Sequence, residues 1–212
     1  MQQQLKKIVV LGPESTGKST LCKQLANHYH TLWCPEFARG YLLQHGTNYS
    51  FYDLLTIAKG QLALEEEYVA LSSEPSNVSG EPSDMRGDIL DLPYESPLTT
   101  HYSRFLFLDT DLYVMKVWCE FVFGKCHPFI LDQIAERKYD LYLLCKPDLP
   151  WIKDELREYP DLESRERLYH IYKDLLINQT TPWVEISGDY DERLTKAIAA
   201  VNGILMYKTH EF

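Results

Sequence analysis

Short apolar runs alternate along the chain with longer segments in which apolar residues recur every three or four positions. The short runs are typical of buried parallel strands, and the longer segments are typical of amphipathic helices. Five runs have the length and composition of strands: residues 7–11, 31–34, 105–108, 139–145 and 182–186. Strands that alternate with helices predict a single α/β domain over residues 1–212, with a five-stranded parallel sheet and helices on both of its faces.

The helical segments lie between these strands, and two of them have recognisable ends. Asp53 is a good N-cap for a helix that continues to about residue 71, and Gly124 is a natural stop for the helix over 112–123. Gln61 lies in the middle of the first of these helices, where it could face a ligand, although we expect its side chain to be solvated. Further helices are predicted from residue 20, over 129–136 and after the last strand.

Residues 72–100 differ in composition from the rest of the chain. They contain four prolines and six serines, and they carry six acidic residues against the single base Arg86. Such a sequence cannot supply an apolar face, so it predicts a flexible acidic insertion. We expect this insertion to be a surface loop that the fold tolerates. The alternative is that it has a regulatory or partner-binding role.

The net charge of the 212 residues is −10, and residues 72–100 contribute six negative charges and one positive charge to it. An acidic protein lacks the basic face that nucleic-acid binding needs, so we expect no nucleic-acid partner. The charge leaves open a small cationic substrate.

Three features of the sequence bear on its compartment. No apolar run reaches the roughly 18 residues of a membrane span, and the N-terminus has no signal-peptide pattern. The five cysteines lack disulfide or metal-ligand spacing, which predicts reduced core residues. We therefore expect a cytoplasmic protein without a membrane partner.

Residues 12–19, GPESTGKS, fill every fixed position of the G-x-x-x-x-G-K-[ST] phosphate-binding loop, and they stand between a predicted strand and a predicted helix. Glycines let consecutive N–H groups turn around an anion, and the positive end of the helix points at the same place. Lys18 supplies a mobile charge for the outer phosphates and Ser19 a hydroxyl ligand for Mg²⁺. This pattern predicts a purine nucleoside triphosphate, with a chance match as the alternative. The residues expected to contact the nucleotide are Gly12, Glu14, Ser15, Thr16, Gly17, Lys18, Ser19 and Thr20.

Charged residues follow two of the other predicted strands. Asp109 ends the third strand, and in phosphate-loop proteins such an acid is expected near the Ser19 hydroxyl, where it is linked to Mg²⁺. The alternatives are that Asp109 only caps the next helix and that Asp111 is solvated. Glu36 and Arg39 follow the second strand, at the sheet edge where open α/β sheets bind ligands. A surface ion pair at the start of a helix is the alternative for these two residues.

Residues 149–167 are rich in charges and stand where a phosphoryl-transfer kinase needs a mobile helical lid. A lid excludes water and brings guanidinium groups to the transferring phosphate. The candidates are Arg157, Arg165 and Arg167, although a solvated helix face fits the charge pattern as well. A loop after the last strand is well placed to hold an adenine ring.

Five segments together resemble the ribosylnicotinamide kinase domain of the NadR family: GPESTGKS at 12–19, PEFAR at 35–39, FLDTD at 107–111, GKCHPF at 124–129 and WIKDELR at 151–157. The resemblance covers most of the chain apart from the acidic insertion. It implies a three-layer P-loop kinase fold and transfer of the γ-phosphate of ATP to the 5′-hydroxyl of nicotinamide riboside, giving nicotinamide mononucleotide. Longer members carry a nucleotidyltransferase domain with an HxGH signature, which does not occur here, so adenylyl transfer and DNA-binding repression are not implied.

The resemblance also implies roles for individual residues. Lys18, Asp109 and Arg157 are then the catalytic residues, and Asp109 accepts or orients the proton of the 5′-hydroxyl. Ser19 and Asp109 hold Mg²⁺, and Arg165 contacts the nucleotide.

On the substrate side, Glu36, Arg39 and Asp111 are expected to hold the ribose hydroxyls. Nicotinamide riboside carries a permanent positive charge, which an aromatic face attracts. Trp151 is therefore expected to stack on the ring, and packing between lid and core is the alternative for this residue.

Two other functions stay open at this point. The same scaffold serves many acceptors, so the chain can also be a kinase for another nucleoside or for a nucleoside monophosphate. The acidic insertion motivates a third reading, in which the chain is an ATP-sensing regulatory module whose lid closes to expose a partner surface.

Overall fold

The sheet is built from the apolar runs of the sequence. The structure is a computed structural model, and it describes residues 4–73 and 104–206. Its strands are β1 Lys6–Leu11, β2 Trp33–Cys34, β3 Phe105–Asp109, β4 Leu141–Cys145 and β5 Trp183–Ile186. They form one parallel sheet in the order β2-β3-β1-β4-β5. Apart from residues 72 and 73, the predicted acidic insertion lies outside the described residues.

Helices connect these strands, and the predicted ones are present. Those in the described residues are α1 Lys18–Tyr29, α2 Phe37–His45, α3 Phe51–Ser73, α4 Leu112–Phe123, α5 Pro128–Glu136, α6 Leu162–Ile177 and α7 Tyr190–Met206. The periodicity did not define α2, because this short helix buries only Ala38 and Leu42. None of these helices is both long and apolar enough to cross a membrane.

Alternate residues of the strands face two different helical layers. Ile8 and Val10 of β1 pack with α1 and α7, whereas Val9 and Leu11 pack with α3, α4 and α6. All four side chains are fully buried, as expected for a parallel strand covered on both faces. The predicted three-layer α/β fold is therefore confirmed.

The prediction that Gln61 is solvated was wrong. Its side chain in α3 is buried, its Oε1 accepts from the backbone N–H of Phe37 at 2.8 Å, and its Nε2 donates to the carbonyl of Pro35 at 3.4 Å. The first N–H groups of a helix have no acceptor within that helix. Gln61 supplies one to α2 and so fixes the connection between β2 and α2, which carries Glu36.

The topology brings the loops after the central strands to one edge of the sheet. Strand β1 pairs with both β3 and β4, and Val10 lies opposite Asp109 on one side and Leu143 on the other. The phosphate loop therefore begins between the residues that follow β3 and β4. Residues 149–160, which we call the 149–160 segment, contain a turn but no helix, so the helix of the predicted lid begins only at Leu162.

Candidate active site

The phosphate loop, residues 12–19, joins the buried end of β1 to the first turn of α1. Gly12 has a φ of +142°, and a Cβ at this position would lie 2.6 Å from the carbonyl oxygen of Cys145 in β4. Gly17 precedes α1 with a φ of +76°, in the left-handed region. The backbone path thus needs glycine at both positions, and it places the N-terminus of α1 at the loop, where an anion can bind.

Two side chains of the loop donate to the same backbone carbonyl. Thr16 Oγ1 and Lys18 Nζ each lie 2.8 Å from the oxygen of Pro13. Thr16 is buried and braces the loop from inside, whereas Lys18 is partly exposed and can turn to a bound phosphate. Ser19 and Thr20 are exposed in the first turn of α1.

Arg193 of α7 is a site residue that the sequence reading missed. Its guanidinium group is buried and donates to the carbonyls of Thr16 at 2.8 Å, Gly188 at 2.7 Å and Lys146 at 2.9 Å. It also forms an ion pair with Asp148. One side chain thereby ties the phosphate loop to the loops that follow β4 and β5.

Asp109 stands at the end of β3, facing the phosphate loop. It is 2% exposed, and its Oδ1 has no hydrogen-bond partner among the described residues. Burial raises the pKa of Asp109, whereas Lys18, a hydrogen bond with Ser19 and the charge of Lys23 lower it. A buried carboxylate oxygen without a partner, next to a hydroxyl group, is an oxygen donor set that fits Mg²⁺.

Glu36 precedes α2 and lies close to Asp109. Desolvation raises the pKa of Glu36 to about 7, the charge of Asp109 raises it as well, and Lys18 and Arg39 lower it. Two neighbouring carboxyl groups compete for protons. Near neutral pH this pair can therefore hold and release a proton beside the phosphate loop.

Asp111 is buried, so it is not the solvated side chain of the alternative reading. It is the N-cap of α4, where it accepts from the N–H of Tyr113 at 3.0 Å, and it also accepts from the hydroxyl of Tyr142 at 3.0 Å. Burial raises the pKa of Asp111 to about 7, and these hydrogen bonds lower it. The cap of α4 is thus Asp111 rather than Asp109.

Several carboxyl groups surround one region between the sheet and α6. Burial raises the pKa of Tyr172 in α6, and the charges of Glu36, Asp111 and Glu14 raise it further. Asp109 lies next to Glu36 on the side of the phosphate loop. The region therefore contains several acidic groups, which suits a positively charged ligand.

The phosphate loop also contacts the 149–160 segment. The carboxylate of Glu14 accepts from the N–H of Glu158 at 3.0 Å and of Tyr159 at 3.3 Å. Ser15 Oγ accepts from the N–H of Ile152 at 3.1 Å. The side chains of Glu14 and Ser15 thus bind the segment. Only the backbone N–H groups of these two residues remain to donate hydrogen bonds to a phosphate.

Arg39 connects α2 to the same segment. Its two Nη atoms lie 3.3 and 3.0 Å from the carboxylate oxygens of Asp154, and this pairing lowers the pKa of Asp154. Tyr49 adds a hydrogen bond of 3.0 Å to the carboxylate of Glu158. An ion pair is thus present, but it reaches the 149–160 segment instead of staying within the helix.

Trp151 is the third residue of the 149–160 segment and lies close to two arginines. The Cζ atom of Arg165 is 5.6 Å and that of Arg157 5.8 Å from the indole ring centroid. Arg165 is buried, and its Nε and Nη1 have no hydrogen-bond partner in the described part of the chain. The third candidate, Arg167, is exposed and lies over Phe121 instead, so the structure does not bring it to this site.

The site thus joins an anion-binding loop, an unpaired buried carboxylate oxygen, two arginines and an acidic region. Such a set can bind a triphosphate with a divalent cation and hold a second, positively charged molecule beside it. This combination fits phosphoryl transfer between two small molecules.

Curated relatives are similar over nearly the whole chain. The trifunctional NAD biosynthesis/regulator proteins NadR of Salmonella typhimurium and Escherichia coli are each 24% identical to it over 205 residues, which is 93% of this chain and 42% of the relative. The chain therefore spans less than half the length of the curated relatives it matches. The predicted resemblance to NadR is confirmed at this level of identity.

Solved structures with the same fold are also similar. A crystal structure of NadR protein in complex with NR has a TM-score of 0.69 and 22% identity, and one in complex with NAD and AMP-PNP has a TM-score of 0.63 and 22% identity. Each comparison covers 94% of this chain and 49% of the other. The family model described as "AAA domain" matches residues 7–193. The chain therefore belongs to the AAA domain family of phosphate-loop proteins.

Proposed function

We propose that the protein transfers the γ-phosphate of ATP to the 5′-hydroxyl of nicotinamide riboside and produces nicotinamide mononucleotide. The observation that carries the proposal is the buried oxygen of Asp109 beside Ser19, which no described residue pairs, at the edge where the phosphate loop meets the acidic region. Similarity to NadR, one structure of which contains NR, supports the choice of acceptor.

The nucleotide side of the reaction falls to the phosphate loop. Its N–H groups and the N-terminus of α1 hold the phosphates, while Lys18 leaves the carbonyl of Pro13 and contacts the transferring group. Ser19 and Asp109 would hold Mg²⁺, which when bound offsets the charge of the phosphates. Arg157 and Arg165 add positive charge from the side of the 149–160 segment.

The acceptor side falls to the acidic region and to Trp151. Glu36, Arg39 and Asp111 hold the ribose hydroxyls, and the carboxyl groups around Tyr172 attract the positively charged ring. The indole of Trp151 provides an aromatic face for the same ring. A neutral nucleoside gains nothing from these acidic groups, so they favour a cationic acceptor over uridine or thymidine.

The proton of the 5′-hydroxyl is taken up by the pair formed by Glu36 and Asp109. A general base works best when its pKa lies near the working pH, and desolvation raises the pKa of Glu36 to about 7. Asp109 is turned to Ser19 and to the metal site, so it aligns the hydroxyl while its neighbour shares the proton.

The proposal is tested by the release of ADP over a panel of acceptors, in the presence and absence of Mg²⁺. Nicotinamide riboside is expected to stimulate ADP release most, and uridine, thymidine and the nucleoside monophosphates are expected to stimulate it little. If a neutral nucleoside or a monophosphate stimulated ADP release more than nicotinamide riboside does, that compound would be the acceptor and the proposal would be wrong in this respect. Binding of ATP without stimulation by any acceptor would contradict a kinase altogether.

A further inference from the structure

The indole of Trp151 is already shared by two cations. Arg165 and Arg157 have their Cζ atoms 5.6 and 5.8 Å from the ring centroid. A cation over an aromatic face changes an equilibrium constant by about two- to thirtyfold. A positively charged acceptor that needs the same ring must therefore compete with these side chains.

Arg165 forms no ion pair with a residue in the described part of the chain. Its side chain is buried, and its Nε and Nη1 donate to no described residue. Hydrogen bonds with Ser164 lower the pKa of Asp161, one turn earlier, and the charge of Arg165 lowers it less. The carboxylate of Asp161 is exposed and accepts from the N–H of Ser164 at 2.7 Å. A buried guanidinium group with two unpaired nitrogen atoms is unfavourable, so Arg165 is ready to pair with an incoming anion.

Arg157 already touches the phosphate loop. Its Nη1 lies 3.4 Å from Ser15 Oγ, and it also donates to the carbonyl of Ile152 in the 149–160 segment. A triphosphate in the loop would offer this guanidinium group a charged partner in place of a hydroxyl group and a carbonyl. Charged partners form the stronger hydrogen bonds.

We propose that Trp151 couples the binding of the two substrates. Arg157 and Arg165 lie over the indole in the structure. A bound triphosphate draws both guanidinium groups toward its oxygens, and the ring becomes free for the cationic acceptor. The inference rests on the proposed function, because it takes nicotinamide riboside as the acceptor, and it adds that nucleotide raises the affinity for this acceptor.

The competition predicts that Arg165→Gln raises the affinity for the riboside, although the substitution removes a residue of the site. We expect this variant, without nucleotide, to bind nicotinamide riboside about three- to tenfold more tightly than the unmodified protein. The non-hydrolysable analogue AMP-PNP with Mg²⁺ should then raise the affinity for the riboside less in the variant than in the unmodified protein. Isothermal titration calorimetry measures all four affinities.

Two controls show whether the gain depends on the positive charge of the riboside and on the position of the arginine. Reduced nicotinamide riboside has almost the same shape but an uncharged ring, so its affinity should not rise in Arg165→Gln. Arg167→Gln removes an exposed arginine of the same helix that lies over Phe121, and it should leave the affinity for the oxidised riboside unchanged. Arg157→Gln repeats the test at a partly exposed position and serves if Arg165→Gln does not fold.

The proposal is overturned if neither Arg165→Gln nor Arg157→Gln binds the oxidised riboside more tightly without nucleotide, or if the reduced riboside gains equally. Failure of the proposed function is a separate result, because it shows as absence of riboside-stimulated ADP release in the unmodified protein. A protein that phosphorylates the riboside but shows no gain in these variants would disprove the coupling alone.

Discussion

The phosphate loop and the 149–160 segment face each other, but they are held in different ways. The loop is fixed by a buried threonine, by the buried guanidinium group of Arg193 and by the contact of Gly12 with β4. The segment is held by polar contacts near the surface, and the side chain of Arg39 in its ion pair with Asp154 is 51% exposed. Exposed ion pairs contribute about 0–1 kcal/mol, whereas removal of one partner of a buried pair costs about 3–5 kcal/mol.

This difference assigns separate tasks to the two sides of the site. A fixed loop already has the geometry that binds the phosphates, so it does not have to become ordered during the reaction. A weakly held segment can open to admit substrates and close to exclude water. Four substitutions test the contrast, and they follow from the largest expected effect to the smallest.

Lys18→Ala removes the mobile charge of the phosphate loop. We expect riboside-dependent ADP release to fall by at least about a thousandfold, because charge on the transferring group is stabilised mainly by such fixed electrostatics. Lys116→Ala is the control, since this lysine pairs with Glu120 on α4. Equal turnover in the two variants would contradict the proposed chemistry.

Glu36→Gln removes one acid of the proposed proton-accepting pair. In the unmodified protein kcat/KM should rise with pH up to about 7, where Glu36 loses its proton. The variant should lose this rise and about a hundredfold in rate. Rates of both proteins between pH 5 and 9 provide the measurement, with Glu120→Gln as the control.

The same substitution has an expected effect on stability. The folded pKa of Glu36, about 7, lies above its ordinary value of 4.5, so the folded state binds the proton more tightly. In the unmodified protein this group therefore reduces stability progressively as the pH rises from about 4.5 to 7. Denaturant unfolding should show a smaller decline over this window in Glu36→Gln, and an identical decline would contradict the raised pKa.

Arg193→Met tests the fixed side of the site at its anchor. The variant leaves three carbonyls and Asp148 without their donor, so the free energy of unfolding should fall by about 3 kcal/mol. Urea denaturation measures this change, and the KM for ATP should rise as the loop loosens. Arg167→Met, at an exposed position, should leave both quantities nearly unchanged.

Asp154→Asn tests the weakly held side. The ion pair with Arg39 is exposed, so the free energy of unfolding should change by less than about 1 kcal/mol. Looser closure should raise the KM for the riboside about threefold and increase ATP hydrolysis without acceptor. Lys153→Ala, exposed in the same segment, is the matched control. A loss of stability as large as that of Arg193→Met would remove the contrast between the two sides.

The parts of the molecule that follow from local sequence were predicted well. The run at Ile8–Leu11 is fully buried, as a parallel strand covered on both faces must be. The motif at residues 12–19 predicted glycines with positive φ angles, because the spacing of the glycines in this motif follows from the backbone geometry of the loop. The place of Asp109 beside the phosphate loop could be predicted because the end of a buried strand fixes where the next side chain emerges.

Other parts depend on contacts between distant residues, and the sequence pattern does not contain them. Arg193 lies four and eight positions before Ala197 and Val201, which are buried on the same helix, so its place on an apolar face could have suggested burial. Its partners, however, come from loops that only the folded sheet brings together. The prediction for Gln61 was wrong for the same reason, since its side chain forms hydrogen bonds with the backbone of Phe37 and Pro35, which lie 24 and 26 residues earlier.

The contacts of Arg193 have a consequence for synthesis on the ribosome. The guanidinium group that braces the carbonyl of Thr16 is translated 177 residues after that carbonyl. A nascent chain that stops before α7 therefore carries the complete motif without its brace. Nucleotide can stabilise the folded domain by mass action only once this helix has docked, so we expect ATP to assist folding only after α7 has been synthesised.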